Sequence, residues 1–294
     1  MRIVSLLPST TEILFALGAG DDVVGVTFEC DHPPEARQRR IVSTSAMPQG
    51  LDAAGIDAYV VAAMRAGEDL YRLDEGALRD LDADLVVTQD LCAVCAVDVS
   101  VVDDALRHLG CRGEVLTIDP HTLDEVVASV GVLGAATGRE EAAQRLMADL
   151  RRRLTLVWGR TLTLRHRPRV LVLEWTDPPY APGHWVPEMV EVAGGTSALG
   201  EPGAKSVRVT WDDVRASRPE LVVCAPCGYH LPDAVGLAKA VVASGELPPD
   251  VPVWAVDANA SWARPGPRLV DGVETLAAVV AGTAPDPAAA QQVR

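Results

Sequence analysis

Apolar runs that do not alternate constrain this chain most. Leu85-Val86-Val87 and Leu221-Val222-Val223 are continuous rather than alternating in polarity. Strands buried on both faces of a parallel sheet have that pattern. Further strands are expected at 2–6, 23–27, 40–43, 114–118, 169–173 and 253–256. Helical patterns fall between them, at 52–66, 74–81, 99–109, 122–136, 189–193, 233–244 and 267–281. Strand followed by helix, repeated, predicts an α/β class with parallel sheets. Ser9-Thr10-Thr11-Glu12 fits a capping box with Ser9 as N-cap, and Gly18 is placed to end the helix that follows.

One segment breaks the rhythm. Over 139–164, acidic and basic residues alternate with apolar positions at helical spacing, and the first glycine is Gly159. A single helix of about 25 residues, some 37 Å long, is expected there. The β/α rhythm then restarts, and the two halves echo one another. Asp84-Leu85-Val86-Val87 leads to Cys92-x-x-Cys95, and Glu220-Leu221-Val222-Val223 leads to Cys224-x-x-Cys227. The expected organisation is an N-terminal α/β lobe at 1–137, a connecting helix at 138–166 and a C-terminal α/β lobe at 167–282. A frayed Ala/Pro/Gln-rich tail is expected at 283–294.

Composition narrows the partners. Lys and Arg total 26 against 41 Asp and Glu, a net charge of −15. Such a polyanion is poorly suited to nucleic acid or to an anionic membrane surface. No apolar run reaches the roughly 18 residues of a membrane span. The opening residues 1–7 read as a strand rather than an export signal. The chain is therefore expected in the cytoplasm as a monomer, with a periplasmic or cell-surface location the alternative if the true start lies upstream.

Enzyme motifs for phosphate, dinucleotide, nucleophilic-serine and zinc-protease chemistry are absent from the sequence. Attention moves to the loops after strands, because open parallel sheets bind ligands beyond the carboxyl ends of their strands. Cys30, His32, Cys92, Cys95, Cys224, Cys227 and His230 lie in such segments. They read either as a soft-metal or redox site of thiolates and imidazole, or as small buried hydrophobes beside a ligand. All six Trp fall in the second half, against 4 Tyr and 2 Phe in the whole chain. Trp175, Trp185 and Trp262, in Pro/Gly-rich loops, suit a large flat ligand, whereas Trp158 and Trp254 suit packing. Arg264 and Arg268 either contact an anionic ligand group or offset local acidic charge. Asp74/Glu75 and Asp212/Asp213 each open a helix, where carboxylates are favoured anyway.

These residues carry a resemblance. The opening Arg2-Ile3-Val4-Ser5-Leu6-Leu7-Pro8-Ser9-Thr10-Thr11-Glu12 resembles that of class III substrate-binding proteins, the Fe-siderophore/cobalamin type of ABC importers. Val23-Val24-Gly25-Val26, the turn at 31–34, Ile41-Val42-Ser43, the segment 81–87, Glu191-Val192-Ala193-Gly194-Gly195 and the segment 264–268 continue it. Within the family the chain is similar to cobalamin binders, in a Cys-rich branch carrying Thr88 to Cys95. The resemblance implies two Rossmann-like lobes joined by the long helix, with a ligand cleft between them. It implies no catalysis and no required cofactor, and a corrinoid ligand such as cobalamin, for import or intracellular carriage.

Expected ligand contacts are Ser9, Thr10, Cys30, His32, Cys92, Cys95, Trp175, Tyr180, His184, Trp185, Cys227, Tyr229, His230, Trp262 and Arg264. His184, His230 and Cys92 are the candidates to approach cobalt. The resemblance also implies docking of Asp74, Glu75, Asp212 and Asp213 onto an ABC permease. Two alternatives stand beside this reading. One is an intracellular metal-thiolate or redox protein using Cys92, Cys95, Cys224, Cys227 and His230. The other is a siderophore or haem binder.

Overall fold

The computed structural model describes residues 1–68, 70–89 and 113–294. The expected helix at 99–109 and the pair Cys92 and Cys95 lie outside the described residues. The chain forms two compact units. The first comprises residues 1–120 and 128–147, the second 121–127 and 148–294.

The first unit holds a six-stranded sheet of β1 (Ile3–Ser5), β2 (Val23–Thr27), β3 (Arg40–Ser45), β4 (Tyr71–Leu73), β5 (Leu85–Thr88) and β6 (Glu114–Thr117). The spatial order is β4-β3-β2-β1-β5-β6, parallel throughout except for the edge strand β4. β1 lies between β2 and β5 and is fully buried, as its apolar run requires. Helix α1 (Pro8–Ala16) follows β1, and α2 (Ala53–Ala66) and α3 (Glu75–Arg79) flank β4 in sequence. The capping box expected at Ser9 and Glu12 does not form. Helix α1 starts at Pro8, with Leu7 at the N-cap and no side-chain cap. Proline is already set for the first helical position and has no N–H to satisfy there. Gly18, at φ +75°, closes this helix end as expected.

Helix α4 (Leu123–Ala136) and the long α5 (Glu140–Thr161) come next. At 22 residues, α5 is slightly shorter than the sequence pattern suggested and spans about 33 Å. Its residues through Met147 group with the first unit and those from Ala148 with the second. The first turn of α4, through Val127, also groups with the second unit.

The second unit is built on β7 (Arg169–Leu173), β8 (Trp175–Thr176), β9 (Pro179–Ala181), β10 (Thr196–Ser197), β11 (Val207–Arg208), β12 (Leu221–Cys224), β13 (Val253–Val256) and β14 (Ala290–Gln292). Its main sheet has the order β10-β7-β12-β13-β14, and a smaller sheet has the order β11-β9-β8. The helices are α6 (Val186–Val192), α7 (Trp211–Ala216), α8 (Leu231–Ser244), α9 (Ala258–Ser261) and α10 (Leu269–Val280). Gly194 and Gly195 end α6 for a steric reason. Gly194 sits at φ +91°, and a Cβ on Gly195 would lie 2.7 Å from Val170 Cγ2.

The tail expected to fray instead forms β14. It pairs antiparallel with β13, placing Val256 opposite the buried Ala290. Arg294 anchors the end through its guanidinium to the carbonyls of Pro248 and Val251. The unpaired edge of β13 supplies backbone partners that a polar, Ala-rich segment can use without apolar side chains.

Candidate functional site

Strand order in the second unit decides where a ligand can meet the backbone. β7 comes first, β10 lies on one side of it and β12 on the other. Loops leaving β7 and β12 therefore part at a topological switch point, where open α/β sheets bind ligands. Two backbone bonds tie these loops together and a third ties the β12 loop to the segment after β13. Ala225 N donates to Leu173 O at 2.9 Å, Cys227 N to Glu174 O at 3.0 Å and Asn259 N to Tyr229 O at 3.0 Å.

Trp175 and Tyr180 face one another across the β8–β9 hairpin. The Trp175 indole N–H donates to Asp177 O at 3.0 Å, closing the turn. Its polar edge is thereby used locally. Its ring lies 5.7 Å from that of Tyr229, tilted by 51°. Aromatic pairs favour such tilted geometry, and here both rings are only partly buried.

Beside this pair stands a polar chain. His230 Nδ1 lies 3.2 Å from both carboxylate oxygens of Asp257, and Asn259 Nδ2 lies 3.0 Å from His230 Nε2. Asp257 is the N-cap of α9 and accepts from Ala260 N at 2.8 Å. Cys227 is exposed on the same loop as Tyr229 and His230.

Glu174 lies directly between β7 and Trp175. Its carboxyl accepts from Ser206 Oγ and from Gly183 N. Burial pushes its pKa up to about 7 against the pull of these two hydrogen bonds. The carboxyl thus fastens both ends of the loop that carries His184. His184 has φ +50°, and its ring lies 6.0 Å from His121 and 5.6 Å from Trp185.

In the first unit, the loop after β2 carries Phe28, Glu29, Cys30 and the exposed His32. Phe28 is 39% exposed, with its ring 5.9 Å from that of Tyr71. Tyr71 donates its hydroxyl hydrogen bond to Glu29 Oε2 at 2.9 Å. Phe28, Glu29 and Tyr71 were missed in the sequence. Phe28 gave a signal, as one of two Phe placed where β2 gives way to a loop. Tyr71 gave none, because its position depends on the antiparallel pairing of β4 with β3.

Several expected ligand contacts are corrected. Ser9, Thr10 and Cys30 are buried inside the first unit. Thr10 Oγ1 lies 2.7 Å from Ser5 Oγ, and Cys30 Sγ lies 3.1 Å from Thr11 Oγ1. Thr10 and Cys30 thus find their partners within the first unit. Trp185 and Trp262 belong to the core of the second unit, and the Trp185 indole donates to Trp262 O at 2.8 Å. Arg264 is buried ahead of α10. Cys224 lies on β12 in the core, and burial pushes its thiol pKa up to about 12. Buried and with its pKa raised, this thiol is less reactive than the exposed Cys227. Among the described residues, no cluster of three or more His, Cys, Asp or Glu could hold a metal ion.

The acidic pairs act as caps. Asp74 accepts from Ala77 N at 2.9 Å at the start of α3, where Glu75 is the first helical residue. Asp213 completes a capping box with Thr210, and the Thr210 hydrogen bonds lower its pKa. Asp212 is exposed and accepts from Arg215 at 2.5 Å.

No protein-family model matches the sequence. The vitamin B12-binding protein of Vibrio cholerae is 24% identical over 282 residues, covering 94% of this chain and 87% of that one. An uncharacterized ABC transporter substrate-binding lipoprotein of Bacillus subtilis, YvrC, is 27% identical over 288 residues, covering 94% and 78%. The crystal structure of the periplasmic vitamin B12 binding protein BtuF of Vibrio cholerae superposes with a TM-score of 0.68 at 22% identity, over 95% of this chain and 96% of that one. Sequence and fold both match the class III substrate-binding proteins. A periplasmic heme binding protein from Pseudomonas aeruginosa shares this substrate-binding fold, with a TM-score of 0.70 at 20% identity over 99% and 97% of the two chains.

These relatives overturn the expected cytoplasmic location. They are periplasmic proteins and a lipoprotein, which points to an extracytoplasmic place. Intracellular carriage and an intracellular redox role fall with it. No described helix is long and apolar enough to cross a membrane.

Proposed function

We propose that this protein binds a corrinoid, cobalamin or a precursor, and delivers it to an ABC permease without catalysing a reaction. The observation that carries the proposal is the Trp175–Tyr229 pair at the carboxyl ends of β7 and β12. Two tilted, half-buried rings, with the Trp175 N–H engaged in its own hairpin, offer apolar contact to a flat macrocycle. Cys227, His230, Asn259 and Tyr180 surround them with groups able to read peripheral amides. On the first unit, the loop after β2 offers the partly exposed Phe28, packed on the buried Tyr71, and the exposed His32. The vitamin B12-binding protein of Vibrio cholerae, similar along nearly its whole length, supports the corrinoid over other flat ligands.

Delivery rests on acidic residues at two helix starts. Asp212 and Asp213 beside the capped start of α7, and Asp74 and Glu75 at the start of α3, are the groups offered to cationic residues of a permease. The protein acts as a single copy. Titration of the purified protein with cyanocobalamin, followed by tryptophan fluorescence, tests the reading. Saturable quenching at low micromolar concentration is expected. No quenching at tens of micromolar, with quenching by haemin or a ferric siderophore instead, would move the site to that ligand.

A further inference from the structure

The polar chain beside the Trp175–Tyr229 pair does more than corrinoid binding by apolar contact requires. Asp257 is held from three sides. It caps α9 through Ala260 N at 2.8 Å, its own N–H donates to Ala289 O at 3.0 Å, and its carboxylate faces the imidazole of His230. The His230 side chain is 50% exposed and that of Asp257 18% exposed. The carboxylate thus sits behind the ring, and the ring projects toward solvent. The backbone of His230 is fixed as the N-cap of α8, with its carbonyl accepting from Ala234 N at 3.0 Å.

This geometry sets the tautomer. A carboxylate at 3.2 Å from Nδ1 requires the proton on Nδ1. In the neutral ring Nε2 then carries a lone pair, which the Asn259 amide faces at 3.0 Å. A histidine whose far nitrogen donates to a carboxylate is the arrangement that orients imidazole toward a metal. Tyr229, the neighbour of His230 in sequence, carries one of the two rings proposed to support the macrocycle.

We propose that His230 coordinates the cobalt of the bound corrinoid through Nε2, with Asp257 as its positioning residue. The inference rests on the corrinoid reading above. The step is a ligand exchange. The Nε2 lone pair forms a bond to cobalt(III), the bond from cobalt to its water ligand breaks, and water leaves. No electron moves, and no proton moves, because Nδ1 already holds it. The Asn259 amide gives up its bond to Nε2 when the metal takes its place.

Two corrinoids separate coordination from binding. Aquocobalamin has an exchangeable water on cobalt, whereas cyanide occupies that position in cyanocobalamin. Wild-type protein is expected to show fluorescence quenching with both, and a shift of the visible corrin bands only with aquocobalamin. In His230→Ala and His230→Gln the band shift is lost, and affinity for aquocobalamin falls about tenfold more than affinity for cyanocobalamin. Asp257→Asn keeps a band shift but weakens aquocobalamin binding by about tenfold. Circular dichroism and thermal melting of each variant exclude misfolding as the cause. Quenching by aquocobalamin without a band shift in wild type, or a shift that persists in both His230 variants, overturns the coordination and leaves the corrinoid reading standing. Absence of quenching by either corrinoid overturns both.

Discussion

The indole N–H of Trp185 donates to the backbone carbonyl of Trp262 at 2.8 Å, inside the core of the second unit. The bond joins the start of α6 to the segment following α9, so two tryptophans from loops become packing elements. Trp262→Ala is expected to lower unfolding free energy by about 3–5 kcal/mol, the cost of an emptied large core site. Trp185→Phe retains most of the packing but leaves the Trp262 carbonyl without its donor, at about 1–3 kcal/mol. Urea denaturation of the two variants measures both. A change of less than about 0.5 kcal/mol in Trp262→Ala would contradict the core assignment.

Trp175 differs from those two residues in kind. It is partly buried, packs on Tyr229, and its N–H donates within its own hairpin turn. Trp175→Ala is expected to leave urea stability within about 1 kcal/mol while weakening cyanocobalamin binding about tenfold, equivalent to about 1.4 kcal/mol. Fluorescence of the remaining tryptophans, or equilibrium dialysis, reads the affinity.

Glu174 makes stability depend on pH. Its folded pKa is raised to about 7 by burial, above the ordinary glutamate value near 4.3. The folded protein therefore holds the proton more tightly than the unfolded chain. This contribution is complete below about pH 4 and is lost as pH rises through about 7, to a limit of about 3 kcal/mol. Denaturation midpoints are expected to fall between pH 5 and 8, and Glu174→Gln flattens that slope. A variant with the wild-type slope would show that Glu174 does not titrate in this range.

The two cysteines of the second C-x-x-C segment should differ in reactivity. Cys227 is exposed, whereas Cys224 is buried and its pKa is raised to about 12. Maleimide labelling followed by peptide mapping is expected to modify Cys227 in the folded protein and Cys224 only in denaturant. Equal labelling of both in the folded state would remove β12 from the core as described.

The corrections share a cause. Trp175, Trp185 and Trp262 look alike in sequence, each in a loop rich in proline, glycine or small residues. Only Trp175 follows a strand directly at the switch point, while Trp185 opens α6 and Trp262 closes α9. The side on which each ring falls depends on how α6, α9 and α10 pack over the sheet, and local pattern does not encode that. Ser9 and Thr10 misled in the opposite way. They follow β1 at a carboxyl end, yet Pro8 starts the helix early and both residues are buried in the first unit, where Thr10 bonds Ser5.

The sequence by itself determined the eight strands β1, β2, β3, β5, β6, β7, β12 and β13, the parallel pairing among them, and the helix end at Gly194-Gly195. Each rests on local physics: apolar continuity, helical periodicity, and the space and dihedral freedom that glycine supplies. Only the tertiary structure decided that Trp175 meets Tyr229, that His230 is backed by Asp257, and that the C-terminal segment completes a sheet as β14. Those relations join residues far apart in the chain. They exist because β7, β12 and β13 are neighbours in the sheet, an arrangement chosen by the burial of all their faces together.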